Sequence, residues 1–311
     1  MTTIISKRHI VKFYFSIIAA TLFFLAIATL LLLVYYNQLD KGTLKIPENL
    51  MPLFSLACYA FAGYSLYRYA KNAPTITVDN DFIKFNDQVY SLNDIKDLKL
   101  TGKRPFKYLI AFPMEAATLT FKNGETKYIF DEMYSNSWEI KSFLKQVVID
   151  KKNFVELAVS PTDTSSLSYE YFETYKGAVF TSLRGLSLWG FIGYLTYMLV
   201  SSKRTGSAGL AFIISIFWFL VHYRLMHYFQ VSDRFFVVRN HNFFWTKKAY
   251  HITDIKEIVF ETQGKMPNCL RVITKDFRNK LYPAGTLRDN TWLALKEKLE
   301  TYKIRVRNEC I

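Results

Sequence analysis

The side chains whose type and spacing could do chemistry in this sequence are basic. Lys103, Arg104 and Lys107 flank Pro105, and Arg234, Arg239, Lys247 and Lys248 follow one another along a later stretch. Lysine and arginine grouped in this way attract anionic phosphate, so these residues are read as contacts to membrane lipid or to a protein partner. The same clusters also suit a solvated loop with only nonspecific attraction to nearby anionic lipid. A further basic residue, Lys84, precedes Phe85, Asn86, Asp87 and Gln88, and the acidic side chain there argues against a phosphate pocket.

Other chemistry lacks its residues. Gly102-Lys103 and Gly264-Lys265 are without the upstream glycine and the following Ser or Thr of a phosphate-binding loop. Gly-x-Ser-x-Gly, His-Glu-x-x-His and Cys-x-x-Cys do not occur. Cys58, Cys269 and Cys310 have no paired spacing, which fits a reducing compartment. His222 and His227 are five apart, on different helical faces, and read as polar anchors at a water interface instead of metal ligands. Asp94 and Asp254 are the most regular carboxylates, and each precedes an apolar strand, where an Asp satisfies backbone donors at a turn. The expectation is a chain with no catalytic residue, cofactor or metal, and no enzyme. The net charge of +14 is scattered, with no basic helix and no zinc or RNA-binding signature, so nucleic acid is not an expected partner.

The elements that must position these residues begin with apolar runs. Residues 13–36 and 53–69 predict one transmembrane hairpin, and 178–200 and 210–228 predict a second, giving four spans. The first run is too long for a signal peptide and has no small-x-small cleavage site before Asn37. Lys7, Arg8, Lys12, Arg68, Lys71, Lys176 and Arg224 lie on the side of the N-terminus and soluble segments; Lys41, Lys45, Lys203 and Arg204 lie in the hairpin loops. That bias predicts cytoplasmic soluble domains. Arg184 and Arg224 fall near span ends, within snorkelling reach of water.

Between and after the hairpins the pattern changes to short alternating strands. Tyr90-x-x-x-Asp94-Ile95-Lys96-Asp97-Leu98 returns as Tyr250-x-x-x-Asp254-Ile255-Lys256-Glu257-Ile258. Val78 and Phe82 pair with Val231 and Phe235, and Asn136-x-Trp138 pairs with Asn290-x-Trp292. Landmarks in the same order at nearly constant offset predict a tandem repeat of one unit. The domains expected are a first hairpin (1–72), a first soluble domain (73–149), a linker with interfacial aromatics Tyr169, Tyr171, Phe172 and Tyr175 (150–176), a second hairpin (177–228) and a second soluble domain (229–311). Each soluble domain should be a partly open barrel plugged by a C-terminal helix, with Trp138 and Trp292 in the plug.

The lines Val231-Ser232-Asp233-Arg234-Phe235-Phe236-Val237-Val238-Arg239 and Tyr250-His251-Ile252-Thr253-Asp254-Ile255 resemble the opening hairpin and third-strand start of bacterial pleckstrin-homology-like membrane proteins. The fold class this implies is membrane α plus soluble α+β: four transmembrane helices in two hairpins, with two PH-like β-barrels each closed by a helix. The resemblance further implies a binding or scaffolding role at a bacterial inner membrane. Expected partners are the lipid bilayer and a protein partner or a homo-oligomer, in an envelope, secretion, defence or toxin-immunity system. The alternative is a channel or transporter formed by the four-helix bundle, against which the near absence of charge inside the spans argues.

Overall fold

The computed structural model describes residues 3–43, 45–108, 111–155, 167, 169–201, 208–243, 245, 247–262 and 266–310. The chain divides into two compact units, Met1–Glu156 and Leu157–Ile311.

The first unit opens with a short strand, β1 (Ile4–Ile5), then a π-helical turn at Ile10–Phe15 that continues as α1 (Ser16–Asp40). Helix α2 (Met51–Asn72) starts with proline in its first turn, where the missing N–H costs nothing. The helices run antiparallel: Tyr69 Oη donates to Lys12 O at 2.8 Å, and Ser55 Oγ donates to Ala28 O at 2.8 Å. Ala28 and Ala62 are buried between the helices' apolar side chains, and such small residues allow close backbone approach.

Seven further strands follow: β2 (Ile76–Val78), β3 (Phe82–Phe85), β4 (Gln88–Ser91), β5 (Ile95–Lys99), β6 (Lys103–Lys107), β7 (Ala111–Phe121) and β8 (Thr126–Phe130), closed by helix α3 (Ser137–Leu144). One sheet has the order β1-β2-β3-β4; the other has β5-β7-β6, with β8 on β7. The β3–β4 turn places Asn86 at φ 52°, a left-handed conformation that asparagine tolerates in tight hairpins. Tyr90 ties the sheets together, stacking on Phe121 at 4.3 Å.

The second unit also opens with a strand ahead of its helices. A strand, β9 (Glu173–Tyr175), precedes α4 (Leu183–Gly185), a π-helical turn at Leu186–Gly190, α5 (Phe191–Ser201) and α6 (Ala208–His222). Then come β10 (His227–Val231), β11 (Phe235–Asn240), β12 (Lys247–His251), β13 (Ile255–Thr262), β14 (Asn268–Thr274), β15 (Asn279–Pro283), α7 (Asp289–Thr301) and β16 (Arg305–Asn308). The sheets are β9-β10-β11-β12 and β15-β14-β13-β16, with β16 parallel to β13 after the α7 crossover. Their core joins Phe229, Phe236 and Val238 of one sheet to Ile258, Phe260 and Leu270 of the other, with Trp292, Leu295 and Leu299 of α7.

The landmarks shared by the two halves occupy matching positions. Asp94 and Asp254 each end a 3-10 turn between the sheets, Leu92–Asp94 and Ile252–Asp254. Each main-chain carbonyl accepts from the next hairpin turn, from Lys122 N and Lys275 N, both at 2.8 Å.

Two expectations are corrected. The first is four transmembrane helices. Among the described residues three helices, Ile10–Asp40, Glu48–Asn72 and Leu183–Ser201, are long and apolar enough to cross a membrane by length and composition, whereas Gly209–Leu225 is shorter. The apolar run continues through Phe229, but from His227 the backbone is committed to a strand paired with both β9 and β11, so the helix ends early. The second is the pair of partly open PH-like β-barrels, each plugged by its closing helix. The sheets are four open sheets of four strands each. The 3-10 turn after β4 or β12 carries the chain to a different sheet, and alternation alone does not distinguish two packed sheets from a closed barrel.

The stretch 150–176 divides. Tyr169 and Tyr171 are exposed, while Tyr175 is a core residue of β9 and Phe172 packs against Leu167, Phe235, Val237 and Ala249. Residues 156–166 and the polar loop at 202–207 lie outside the described residues.

Candidate functional site

The basic residues do not form one patch. On β6, Phe106 is buried against Tyr69 of α2, with ring centroids 5.3 Å apart, which holds the strand at the foot of that helix. Arg104 Nε donates to Thr118 Oγ1 at 2.6 Å and is engaged within the sheet. Lys103 is half-buried and Lys107 is exposed, and the Lys107 carbonyl accepts from Asn72 Nδ2 at the end of α2. Lys107 is therefore the member of this cluster that stands in the open beside a candidate span.

In the second unit, Arg234 lies in the turn before β11 and pairs with Glu170 at 2.5 Å. Arg239 stands at the other end of the same strand, about 17 Å away at the usual rise per residue. There it faces Lys247 of β12 directly across the ladder. Lys248 is exposed and its ammonium lies 5.9 Å from the Tyr250 ring. Structure thus separates Arg234 from Arg239, Lys247 and Lys248, which gather at the β11–β12 tip.

Aromatic side chains occupy that same tip. Trp245 is 64% exposed and meets Phe243 edge-on at 4.9 Å. Phe243 in turn meets Tyr223 at 4.6 Å and Phe219 at 5.8 Å, at the end of α6. Phe219 continues to Trp189 at 6.2 Å, inside the candidate span Leu183–Ser201.

A cleft of about 580 Å³ opens in the first unit beside the β3–β4 turn, lined among others by Lys71, Phe85, Asp87, Lys127 and Tyr128. Its cations have partners. Lys127 Nζ donates to Gln88 Oε1 at 2.8 Å, and Lys71 Nζ donates to Tyr67 Oη at 3.3 Å. The hairpin carrying Lys84 and Asp87 therefore borders a polar cleft.

His222 is buried between helices, with Nδ1 3.0 Å from the Trp218 carbonyl and Nε2 3.4 Å from Ser187 Oγ. His227 Nδ1 lies 2.9 Å from Pro283 O. Burial pushes the His227 pKa down, with Lys280 adding to the shift and the Pro283 hydrogen bond opposing it. His241 falls further, to about 4, from burial first and then from the nearby charges of Lys176 and His227. Glu173 is held below the ordinary carboxylate range, chiefly by the Lys298 ammonium at 2.8 Å. Among the described residues no group of three or more His, Cys, Asp or Glu is placed to hold a metal ion.

The sequence reading missed the buried ion pairs. Asp131 pairs with Lys141 and Glu261 with Arg271, all four side chains almost fully buried; buried Glu257 meets Arg307 at 3.3 Å. Nothing in residue spacing signals them, because the partners become neighbours only through sheet register and helix docking.

No protein-family model matches this chain, and no curated protein matches it.

Proposed function

We propose that this chain is a membrane-anchored binding protein that holds two sheet-built bodies at the cytoplasmic surface of a bacterial inner membrane, where they serve a protein partner or membrane lipid. The observation that carries this reading is how each helical hairpin is tied. The strand before the hairpin and the strand after it pair with each other: Ile4 with Val78 in the first unit, and Tyr175 with Phe229 in the second. Both ends of each helical segment enter one sheet, so a bilayer around the candidate spans leaves that sheet almost no freedom to depart from the surface. Such a tether suits presentation at a fixed height and orientation, which lowers the entropic cost of meeting another surface-bound partner.

Three further points support the reading. The matching turns at Asp94 and Asp254 favour a tandem duplication of one anchored unit. The likeness of the 231–239 and 250–255 lines to bacterial pleckstrin-homology-like membrane proteins favours binding without chemistry. The bias of basic residues toward the sheet-bearing side favours a cytoplasmic orientation.

Photo-crosslinking residues at the exposed positions Lys96 and Lys275 test this in native membranes. Discrete adducts to a defined protein or lipid are expected, and vesicles reconstituted with the purified chain should pass ions and small solutes no faster than empty ones. Flux rising with protein content would overturn the reading in favour of a channel or transporter.

A further inference from the structure

The β11–β12 tip brings an exposed aromatic ring together with opposed basic side chains. Trp245 is largely exposed, and Arg239 and Lys247 are opposed across the ladder, an arrangement of like charges that destabilises a strand pair unless an anion lies between them. Arg239 Nε is buried without a hydrogen-bond partner among the described residues. Trp245 continues a series of ring contacts through Phe243 and Phe219 to Trp189.

That series links the tip to the first part of the candidate span. Arg184, near the start of the candidate span Leu183–Ser201, packs beside Gly285 of the sheet-bearing body and marks the water side. Trp189 lies about 8 Å further along the helix. Rings at that depth sit at the boundary between headgroups and acyl chains, the level that tryptophan and its neighbours favour, with basic residues just above at phosphate height.

We infer that the β11–β12 tip is an interfacial anchor for anionic lipid. Phe243 and Trp245 lodge at the headgroup–acyl boundary of the bilayer that Leu183–Ser201 enters, and Arg239 and Lys247 together hold lipid phosphate. Lys248, on the alternate face of its strand and over Tyr250, contributes less. The inference rests on the functional reading above only through the membrane position of that span.

The test uses the full chain in lipid nanodiscs of phosphatidylcholine, with and without phosphatidylglycerol. An environment-sensitive fluorescent amino acid replaces Trp245, or Phe243 should the first variant not accumulate; a control carries it at Lys275. Lys275 is exposed in the turn that leads into β15 from the end opposite the Met226–Ala284 bridge, away from the span. Emission from the tip should be blue-shifted and quenched about twofold more by a nitroxide near the headgroup than by one deep in the acyl chain, with the control water-like. Neutralising Arg239 or Lys247 to Gln should lower enrichment of phosphatidylglycerol around the protein by about fivefold per charge, and Lys248→Gln by less. Water-like, iodide-accessible emission at the tip would overturn the inference. So would a blue-shifted probe that no nitroxide lipid quenches, which would mean that protein covers the tip. Solute flux through reconstituted vesicles would sink the binding-protein reading and leave this result standing.

Discussion

Arg271 of β14 and Glu261 of β13 meet at 2.8 Å with both side chains almost wholly buried, and a second arginine nitrogen, Nη1, donates to Asn279 Oδ1 at 3.0 Å. Removing one partner of such a pair leaves an uncompensated charge in the core. Arg271→Met or Glu261→Leu alone should each cost about 3 to 5 kcal/mol, while the double replacement should recover most of the loss. Thermal unfolding of the detergent-solubilised chain measures both. Equal destabilisation by the single and double variants would show that the pair's geometry, and not charge compensation, matters.

Trp292 and Trp138 stand at corresponding places in the two halves but are not equivalent. Trp292 is fully buried against Phe229 and Phe260, with centroids 5.7 and 4.9 Å away, whereas Trp138 is half-buried. Trp292→Ala should cost about 3 to 5 kcal/mol and Trp138→Ala distinctly less. Similar losses of expression and melting temperature for the two would contradict this.

Acid should weaken the second unit through His241. Its folded pKa, about 4, lies below the ordinary value of 6.5. Between those values the unfolded chain binds the extra proton, so stability is complete above pH 6.5 and is lost as pH falls toward 4. Because the ring is partly solvent-exposed, the effect is discounted to about 1 to 2 kcal/mol. Melting curves of His241→Gln should show a shallower slope across that window, with a residual slope from His227, whose pKa is lowered in the same direction. An unchanged slope would remove His241 from the account.

Gly177 tests the route from β9 into the helices. A Cβ there would fall 1.7 Å from Thr286 O and 2.2 Å from Thr286 C, both backbone atoms that cannot swing aside. Gly177→Ala should cost about 1 to 3 kcal/mol or more and loosen the adjacent β9 edge, seen as faster amide exchange at Thr174 and Tyr175. Unaltered exchange would mean that the segment shifts freely.

Orientation is open to chemical labelling. Single cysteines at Asn123 and Lys275, both in exposed turns, should resist an impermeant thiol reagent in intact cells and react after lysis if the sheet-bearing bodies face the cytoplasm. Labelling of both before lysis would reverse the topology.

The sequence by itself determined what depends on near neighbours along the chain. Apolar length marked the helices, alternation marked strands such as Phe82–Phe85, and Asn86-Asp87 marked a tight turn. The Tyr-x-x-x-Asp spacing located the turns at Asp94 and Asp254. What only the tertiary structure decided depends on pairing at long range. The run 210–228 read as helix to its end because hydropathy does not register that His227 onward pairs with β9 and β11. Four open sheets replaced two barrels because closure is a property of strand edges, which alternation does not report. Register alone brought Arg271 to Glu261 and set Arg239 opposite Lys247, while Arg234, in the same basic stretch, was drawn away to Glu170. Charge along a chain predicts attraction to anions, but which charges converge is fixed by strand direction and by what each side chain meets.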